Sequence, residues 1–408
     1  MNTLTHHKKE ENSSSGLDIA GLLELLKKFQ QIELYDFQMD MKNLELRFEP
    51  GIGGSIMPQL KLPSAIATKP AALIQQTFTP PIDKYSGKIV EVTLGATKSQ
   101  GGTRGKAITI GGEKSPAFYT FESPVIHPPI VTLDVFDMEV PLSKAVKMHF
   151  KEVLHDPAEW AKLAVNKFGA DMVTIHLISI DPLLKDAPPK DALKTIEKVL
   201  QAVDVPLVIG GCGDPVKDEA LFEEVAVAFP GERFLLSSLT RDMNIEKSAK
   251  LAKKNNHAVL SFTPMDLNMA REQNRKLYDY LAPEDIVMDL STAALGYGLD
   301  YAFTNMERAR LAGLMGDNEL AHPMSSGTTN AWAAREAWLK MDAKWEPREL
   351  RGPLWEVTTA LTLLLAGVDM FMMIHPAAVK TLKEVTKRLS SGQKADASKY
   401  LEWVTAKP

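Results

Sequence analysis

The 408-residue chain has one cysteine, Cys212. A single thiol cannot close a disulfide within the chain, complete a four-cysteine zinc site or hold an iron–sulfur cluster. Cys212 lies in GGCGDP just past an apolar run, and the sequence names no base to activate it as a nucleophile. Metal-site patterns are missing as well: His127, His155, His176, His257, His322 and His375 are scattered, with no HExxH or paired spacing. No apolar run is long enough to span a bilayer, and the best, ALTLLLAGVDMFMMI (360–374), carries Asp369. A basic leader followed by an apolar stretch and a cleavage site is also lacking, so the expected location is the cytoplasm. A formal charge of −5 and a pI near 6.0 give no global attraction for nucleic acid. The pairs Lys8, Lys9 and Lys253, Lys254 read as solvated faces.

What the chain does have is rhythm. With 45% hydrophobic residues it can bury a large core, and from Val131 onward short apolar runs alternate with amphipathic stretches. The strand candidates are VTLDVF (131–136), MVTIHL (172–177), PLVIG (206–210), RFLLS (233–237), HAVLS (257–261), DIVMDL (285–290), LAHPMSS (320–326) and VDMFMMI (368–374). Each after the first begins 24 to 48 residues beyond the last, room for one strand, one helix and two loops. Between them lie helical patterns such as PAEWAKLAVNKFG (157–169), opened by proline and closed by glycine. Eight such units predict an α/β fold of the (β/α)8 TIM-barrel type, in preference to an open doubly wound sheet.

The N-terminal part is organised differently. Residues 1–16 are polar and aperiodic and read as a disordered tail; 17–129 form an extension of helix, β-hairpin and glycine-rich loop; 130–390 are the barrel and 391–408 a C-terminal tail. GLDIAGLLELLKKFQQI (16–32) has a broad apolar helical face, to dock on a partner or on the barrel. IELYDFQMDM and NLELRFEP alternate as strands do, and a Gly- and Pro-rich stretch follows from Pro50 to Pro81. KIVEVTLGATKSQGGTRGKAITIGGE (88–113) reads as two strands around a loop whose Gly101, Gly102 and Gly105 could cradle an anion, though without Walker spacing.

A barrel does its chemistry at the strand C-termini. There the first strand supplies Asp134 and Asp137, the second His176 and Asp181, the third Gly210, Gly211 and Asp214, and the fourth Ser237, Ser238 and Thr240. The later strands add Thr263, Met265, Asp266 and Asn268; Asp289, Ser291 and Thr292; Ser325, Ser326, Thr328 and Asn330; and His375. This mouth is rich in hydroxyls, amides and isolated carboxylates and poor in nucleophiles. Asp266 and Asp289 qualify as a carboxyl pair for glycoside hydrolysis, but Asp266 also sits where the cap of the helix LNMAREQ belongs. The inventory suits binding of a large polar ligand, with no catalytic or metal-ligating residue expected.

Several long motifs in one order carry a resemblance: TLGATKSQGGTRGKAITIGGE, TLDVFDMEVPLSKAV, GGCGDPVKDEALF, TPMDLNMAREQN, DLSTAALGYGLDYAFTNMERARLAGL, HPMSSGTTNAWAAREAW and TTALTLLLAGVDMFMMIHP. Over roughly Ile89 to Leu389 the chain resembles the delta subunit of the acetyl-CoA decarbonylase/synthase complex, also known as the small subunit of the corrinoid iron–sulfur protein. The resemblance implies anaerobic one-carbon metabolism, in the Wood–Ljungdahl route or its reversal in methanogens. It also implies a large (gamma) subunit bearing the iron–sulfur cluster, and a cobamide shared between that subunit and this mouth. The corrinoid then carries a methyl group between a methyl-tetrahydropterin and the nickel centre of acetyl-CoA synthase, alongside CO dehydrogenase. The DxHxxG signature of an axial histidine is lacking, so this chain is expected to touch the corrinoid without ligating cobalt. The candidate contacts are Gly210, Gly211, Thr263, Met265, Asp266, Asn268, Ser291, Thr292, Ser326, Thr328, Asn330 and His375.

Two alternatives stay open. In one the barrel itself binds the methyl-tetrahydropterin, Asp134, Asp214 and Asp289 facing its guanidine-like edge. In the other it is a scaffold of the complex, with neither nucleic acid nor membrane as partner.

Overall fold

The computed structural model describes residues 47–50, 56–59, 79, 82–120 and 123–391. The expected tail, the helix over 16–32 and residues 392–408 lie outside them. The chain divides at Thr79 into two compact units. In the first, β1 (Arg47–Pro50) pairs antiparallel with β2 (Ile56–Gln59), Arg47 opposite Gln59. The second strand of this hairpin is thus IMPQ, inside the Gly- and Pro-rich stretch.

The second unit opens with β3 (Val92–Leu94) and β4 (Ile108–Ile110), an antiparallel pair flanking the glycine-rich loop as the sequence predicts. Eight parallel strands then close into a barrel: β5 (Ile130–Phe136), β6 (Met172–His176), β7 (Leu207–Gly210), β8 (Leu235–Leu239), β9 (Ala258–Phe262), β10 (Ile286–Asp289), β11 (Met324–Gly327) and β12 (Met370–Met373). Each strand neighbours the next in sequence, and β12 pairs with β5 to close the ring. Helices α1 (Lys144–Phe150), α2 (Pro157–Asn166), α3 (Pro189–Ala202), α4 (Pro215–Ala228), α5 (Ile245–Lys254), α6 (Leu267–Tyr278), α7 (Leu299–Leu314), α8 (Arg348–Leu365) and α9 (Pro376–Ser390) surround it.

Six of these nine helices begin where a side chain supplies an oxygen or ring nitrogen for the first turn's free N–H groups, the exceptions being α3, α7 and α8. Asp156, Asp214 and Asp266 each accept two backbone N–H bonds at the starts of α2, α4 and α6, and proline follows the first two. Outward-facing strand residues such as Val131, Leu133, Val173, Ile175, Ile209 and Met288 pack beneath the helices with Trp160, Phe150 and Phe222 in the main core.

A second core fills the barrel's N-terminal end. Val92, Leu94 and Ile110 of the β3–β4 hairpin bury against the first inward residues of the strands, among them Ile130, Met172, Val208, Leu235, Ala258, Val287 and Met370. The hairpin is therefore a plug. Its loop is tied to the same end: Arg104, 4% exposed, donates to the carbonyls of Leu200 (2.7 Å) and Val203 (2.5 Å) and pairs with Glu232 at 3.3 Å. Gly102 has no room for a Cβ beside the Ala96 carbonyl. The anion cradle considered for Gly101–Gly105 is thus spent on packing at the closed end, the opposite end from the strand C-termini.

Candidate functional site: the barrel mouth and the lumen beneath it

Because paired residues of parallel strands share a face, the register decides which polar groups enter the barrel. Val287, an inward core residue, places Asp289 two residues on at the same face; Asp289 aligns with Phe262 and with Ser325. Met172 likewise places Thr174 and His176 inward, and Thr174 aligns with Asp134, His176 with Phe136 and Gly210, and Gly210 with Ser237. The upper lumen therefore holds Asp134, His176, Ser237, Asp289 and Ser325, where barrels are ordinarily filled by Val, Ile and Leu. Two of its inward positions, Gly210 and Gly327, carry no side chain at all. Phe136, His176, Ser237, Phe262 and Gly327 are only partly buried, so the lumen is open at this end.

Asp134 is 1% exposed and lies between two partners: His176 Nε2 stands 3.2 Å from Oδ1, and Thr329 Oγ1 donates to Oδ2 at 2.5 Å. Burial opposes protonation of His176, but Asp134 and Asp137 outweigh it and the imidazole is held above its ordinary value. Phe136 stacks on the same ring, centroids 5.0 Å apart. Burial pushes Asp289 up to about 7 against the one backbone N–H, from Ser291, that favours its charge. Ser325 Oγ is buried and has no hydrogen-bond partner.

The twelve expected contact residues divide by depth. Thr263, Ser326 and Thr328 are at most 1% exposed, and Ser326 bonds Thr292 and Thr328, each at 2.9 Å. In this conformation a macrocycle reaches none of the three. Gly211 makes its close approach to Asp218, whose carboxylate fills the space a Cβ would need and accepts the amides of Cys212 and Gly213. His375, expected at the ligand, caps α9, accepting the Ala377 amide at 3.2 Å; its ring stacks on Trp332 and meets His149 edge-on, and burial brings it down to about 4. Met265, Asp266, Asn268 and Asn330 are exposed on the rim, and Ser291 and Thr292 half-buried beside them. Asp266 spends one oxygen on the α6 cap. Ser291 holds a left-handed backbone (φ +68°), costly for a non-glycine residue, secured by Asp289 and by its own Oγ donating to the Thr263 carbonyl. Cys212 is a thiol and no thiolate, pushed up to about 12 by burial and by Asp218. Asp214, held at the α4 cap, does not enter the lumen set. No group of three metal-ligating side chains occurs among the described residues, and none of their helices is long and apolar enough to cross a membrane.

Asp134, His176, Ser237 and Ser325 are thus site groups that the expected contact set omits. Their signal was in the strands, as polar residues at the inward parity of a period-2 pattern, but parity has no direction until the register is known.

Comparison with known proteins gives a consistent picture. Residues 91–342 match the family model described as CO dehydrogenase/acetyl-CoA synthase delta subunit. Proteins named acetyl-CoA decarbonylase/synthase complex subunit delta are 54% identical in Archaeoglobus fulgidus (82% of this chain, 76% of that one) and 44% in Methanocaldococcus jannaschii (96% and 97%). One named delta 1, from Methanosarcina thermophila, is 50% identical over 87% of this chain and 83% of its own. Among solved structures, dihydropteroate synthase of Xanthomonas albilineans aligns over 65% of this chain and 94% of its own, with 15% identity and a TM-score of 0.45. With a closed eight-stranded barrel and these relatives matched over most of both chains, the chain belongs to the delta-subunit family of the acetyl-CoA decarbonylase/synthase complex.

Proposed function

We propose that this subunit presents its barrel mouth to a corrinoid held jointly with the large (gamma) subunit of the complex. The corrinoid's role there is methyl transfer between a methyl-tetrahydropterin and the nickel centre of acetyl-CoA synthase. The observation that carries the reading is the rim. Exposed amides at Asn268 and Asn330, half-buried hydroxyls at Ser291 and Thr292 and the exposed Met265 thioether surround an opening backed by rigid strands.

This donor set suits the group. A corrin ring is flat and edged with carboxamides, which need both donors and acceptors. Asn268 accepts from Arg271 at 3.0 Å, leaving its own N–H groups to donate, and Asn330 is exposed beside Gly327. Met265 supplies polarizable apolar contact for a ring face. When bound, the corrinoid supplies a cobalt centre able to take and give a methyl group. This chain's residues orient it and shield one face from water, with no general acid or base required of the rim.

The test is co-expression with a corrinoid- and cluster-bearing large subunit under anoxic conditions, read by absorption spectrum. The corrinoid band is expected to stay with the purified pair and to fall at least about tenfold in retention when Met265, Asn268 and Asn330 are all alanine, a loss of about 1.4 kcal/mol. Full retention by the triple variant overturns the reading.

A further inference from the structure

The ring of helices around the barrel has a seam. Between α2, which follows the first barrel strand, and α9, which follows the last, lies a groove of about 610 Å3. Pro376, Ala377, Lys380, Lys383, Glu384 and Lys387 line it from α9 at helical spacing, so one face of that helix borders the groove for about three turns. The other wall is the end of α2 and the turn after it, where Gly169 has no heavy atom within 4 Å of the place its Cβ would take. The floor is apolar and braced: the half-buried Phe168 ring meets Phe150 edge-on at 5.5 Å and His149 at 6.3 Å. The walls are basic. Lys383 is spent on a bridge across the groove, donating to the Gly169 carbonyl at 2.7 Å and to Asp171 at 2.6 Å. Lys167 lies over the Phe168 ring at 5.5 Å, and Lys380 has a loose pair with Glu384 at 3.9 Å. Lys387, exposed on the next turn, makes no ion pair among the described residues.

A chain of net charge −5 that gathers lysines around an apolar trough selects the sign of what it receives there. Lys380 and Lys387 stand seven residues apart on one helix face, about 10 Å along the axis, and Lys167 faces them from the other wall. Charges so spread do not converge on one small anion; they match carboxylates set along a polypeptide. The apolar floor gives such a segment a place for a side chain. The chain's own residues 391–408 fit poorly, since they carry Lys394, Lys399 and Lys407 against Asp396 and Glu402. Its relatives are named as subunits of a complex, which supplies neighbouring chains. We propose that the seam between α2 and α9 is a docking groove for an acidic segment of another subunit of the complex. Its carboxylates lie against Lys167, Lys380 and Lys387, and an apolar side chain rests on Phe168. The groove is outside the barrel wall and needs no corrinoid, so its test is independent of the reading of the rim.

The assembled complex is purified and treated with a water-soluble carbodiimide, which joins an ammonium to a carboxylate only where the two touch, and the linked peptides are read by mass spectrometry. Lys167, Lys380 or Lys387 is expected to be joined to an aspartate or glutamate of another subunit. In parallel, Lys167→Glu, Lys380→Glu and Lys387→Glu are combined in the full-length chain, and its affinity for the rest of the complex is measured at low and high salt. All three side chains are exposed, so the triple variant should fold, as judged by circular dichroism. It is expected to bind at least about tenfold more weakly at low salt, the gap closing as added salt screens the parent's pairs. Undiminished affinity of the triple variant overturns the proposal. So do links from these lysines to Asp396 or Glu402, which would seat residues 391–408 in the groove, links to a second copy of this chain, or links to no other subunit.

Discussion

Glu356 on α8 is fully buried and accepts three N–H groups: the Ile374 amide at 2.7 Å, Trp332 Nε1 at 2.9 Å and the His375 amide at 3.1 Å. One carboxyl thus clamps the exit of β12 and the ring that stacks on His375. Glu356→Ala strands three donors, and a cost of about 3–5 kcal/mol is expected in the midpoint of urea unfolding, a large effect among single substitutions. Gly211→Ala meets the Asp218 carboxylate and should cost about 1–3 kcal/mol while leaving ligand binding unchanged once folded. These two residues show where single-residue legibility ends. The sequence marks Gly211 as a place of close approach, which it is, but cannot say to what. Asp266 is recognisable as a cap from the helix that follows it. Glu356 lies mid-helix, and nothing in its local pattern tells that its helix face meets the end of a strand 18 residues on.

Among the elements, all eight barrel strands occur where the apolar runs predict, and the differences lie at their ends. RFLLS is expected to start a strand at Arg233, but the strand begins at Leu235. Arg233 takes a left-handed backbone (φ +55°), and its guanidinium reaches the Thr93 carbonyl at 3.0 Å and Asp285 at 2.6 Å. A tertiary anchor has overridden strand propensity there. Likewise LAHPMSS yields a strand only from Met324, just after Pro323, which has no N–H to give a ladder. The plug is the element whose role is hardest to read, because a hairpin's partner is a matter of topology. Leu94, buried at the closed end, should cost about 2–5 kcal/mol on truncation to alanine. Calorimetry of Leu94→Ala is expected to show one lowered transition rather than two, since hairpin and barrel share a core.

Over the whole molecule, buried titratable groups set opposing pH dependences. Burial holds His257, His322 and His375 down to about 4, so each is neutral in the native state while its unfolded counterpart takes a proton near 6.5. Their contribution is complete above pH 6.5 and is lost as pH falls toward 4. Glu356 and Asp289, raised to about 8 and about 7, act the other way: the unfolded carboxyls ionise near 4 and the native ones only later, so stability falls as pH rises toward 8. Asp369, raised by burial to about 7, acts with them, so the midpoint of thermal unfolding is expected to fall between about pH 6.5 and 8. Glu356→Gln should flatten the alkaline limb by about one proton's slope whatever it does to the maximum. An unchanged slope would show that Glu356 does not titrate in that range.

The hairpin stopper at the strand N-termini leaves the lumen a vessel with one neck. Whatever enters it must pass the rim, and whatever seats on the rim seals it. Traffic through such a vessel has a compulsory order, last on and first off at the neck. A molecule held in the lumen would therefore leave only after one seated on the rim, its exchange timed by that neighbour rather than by its own affinity.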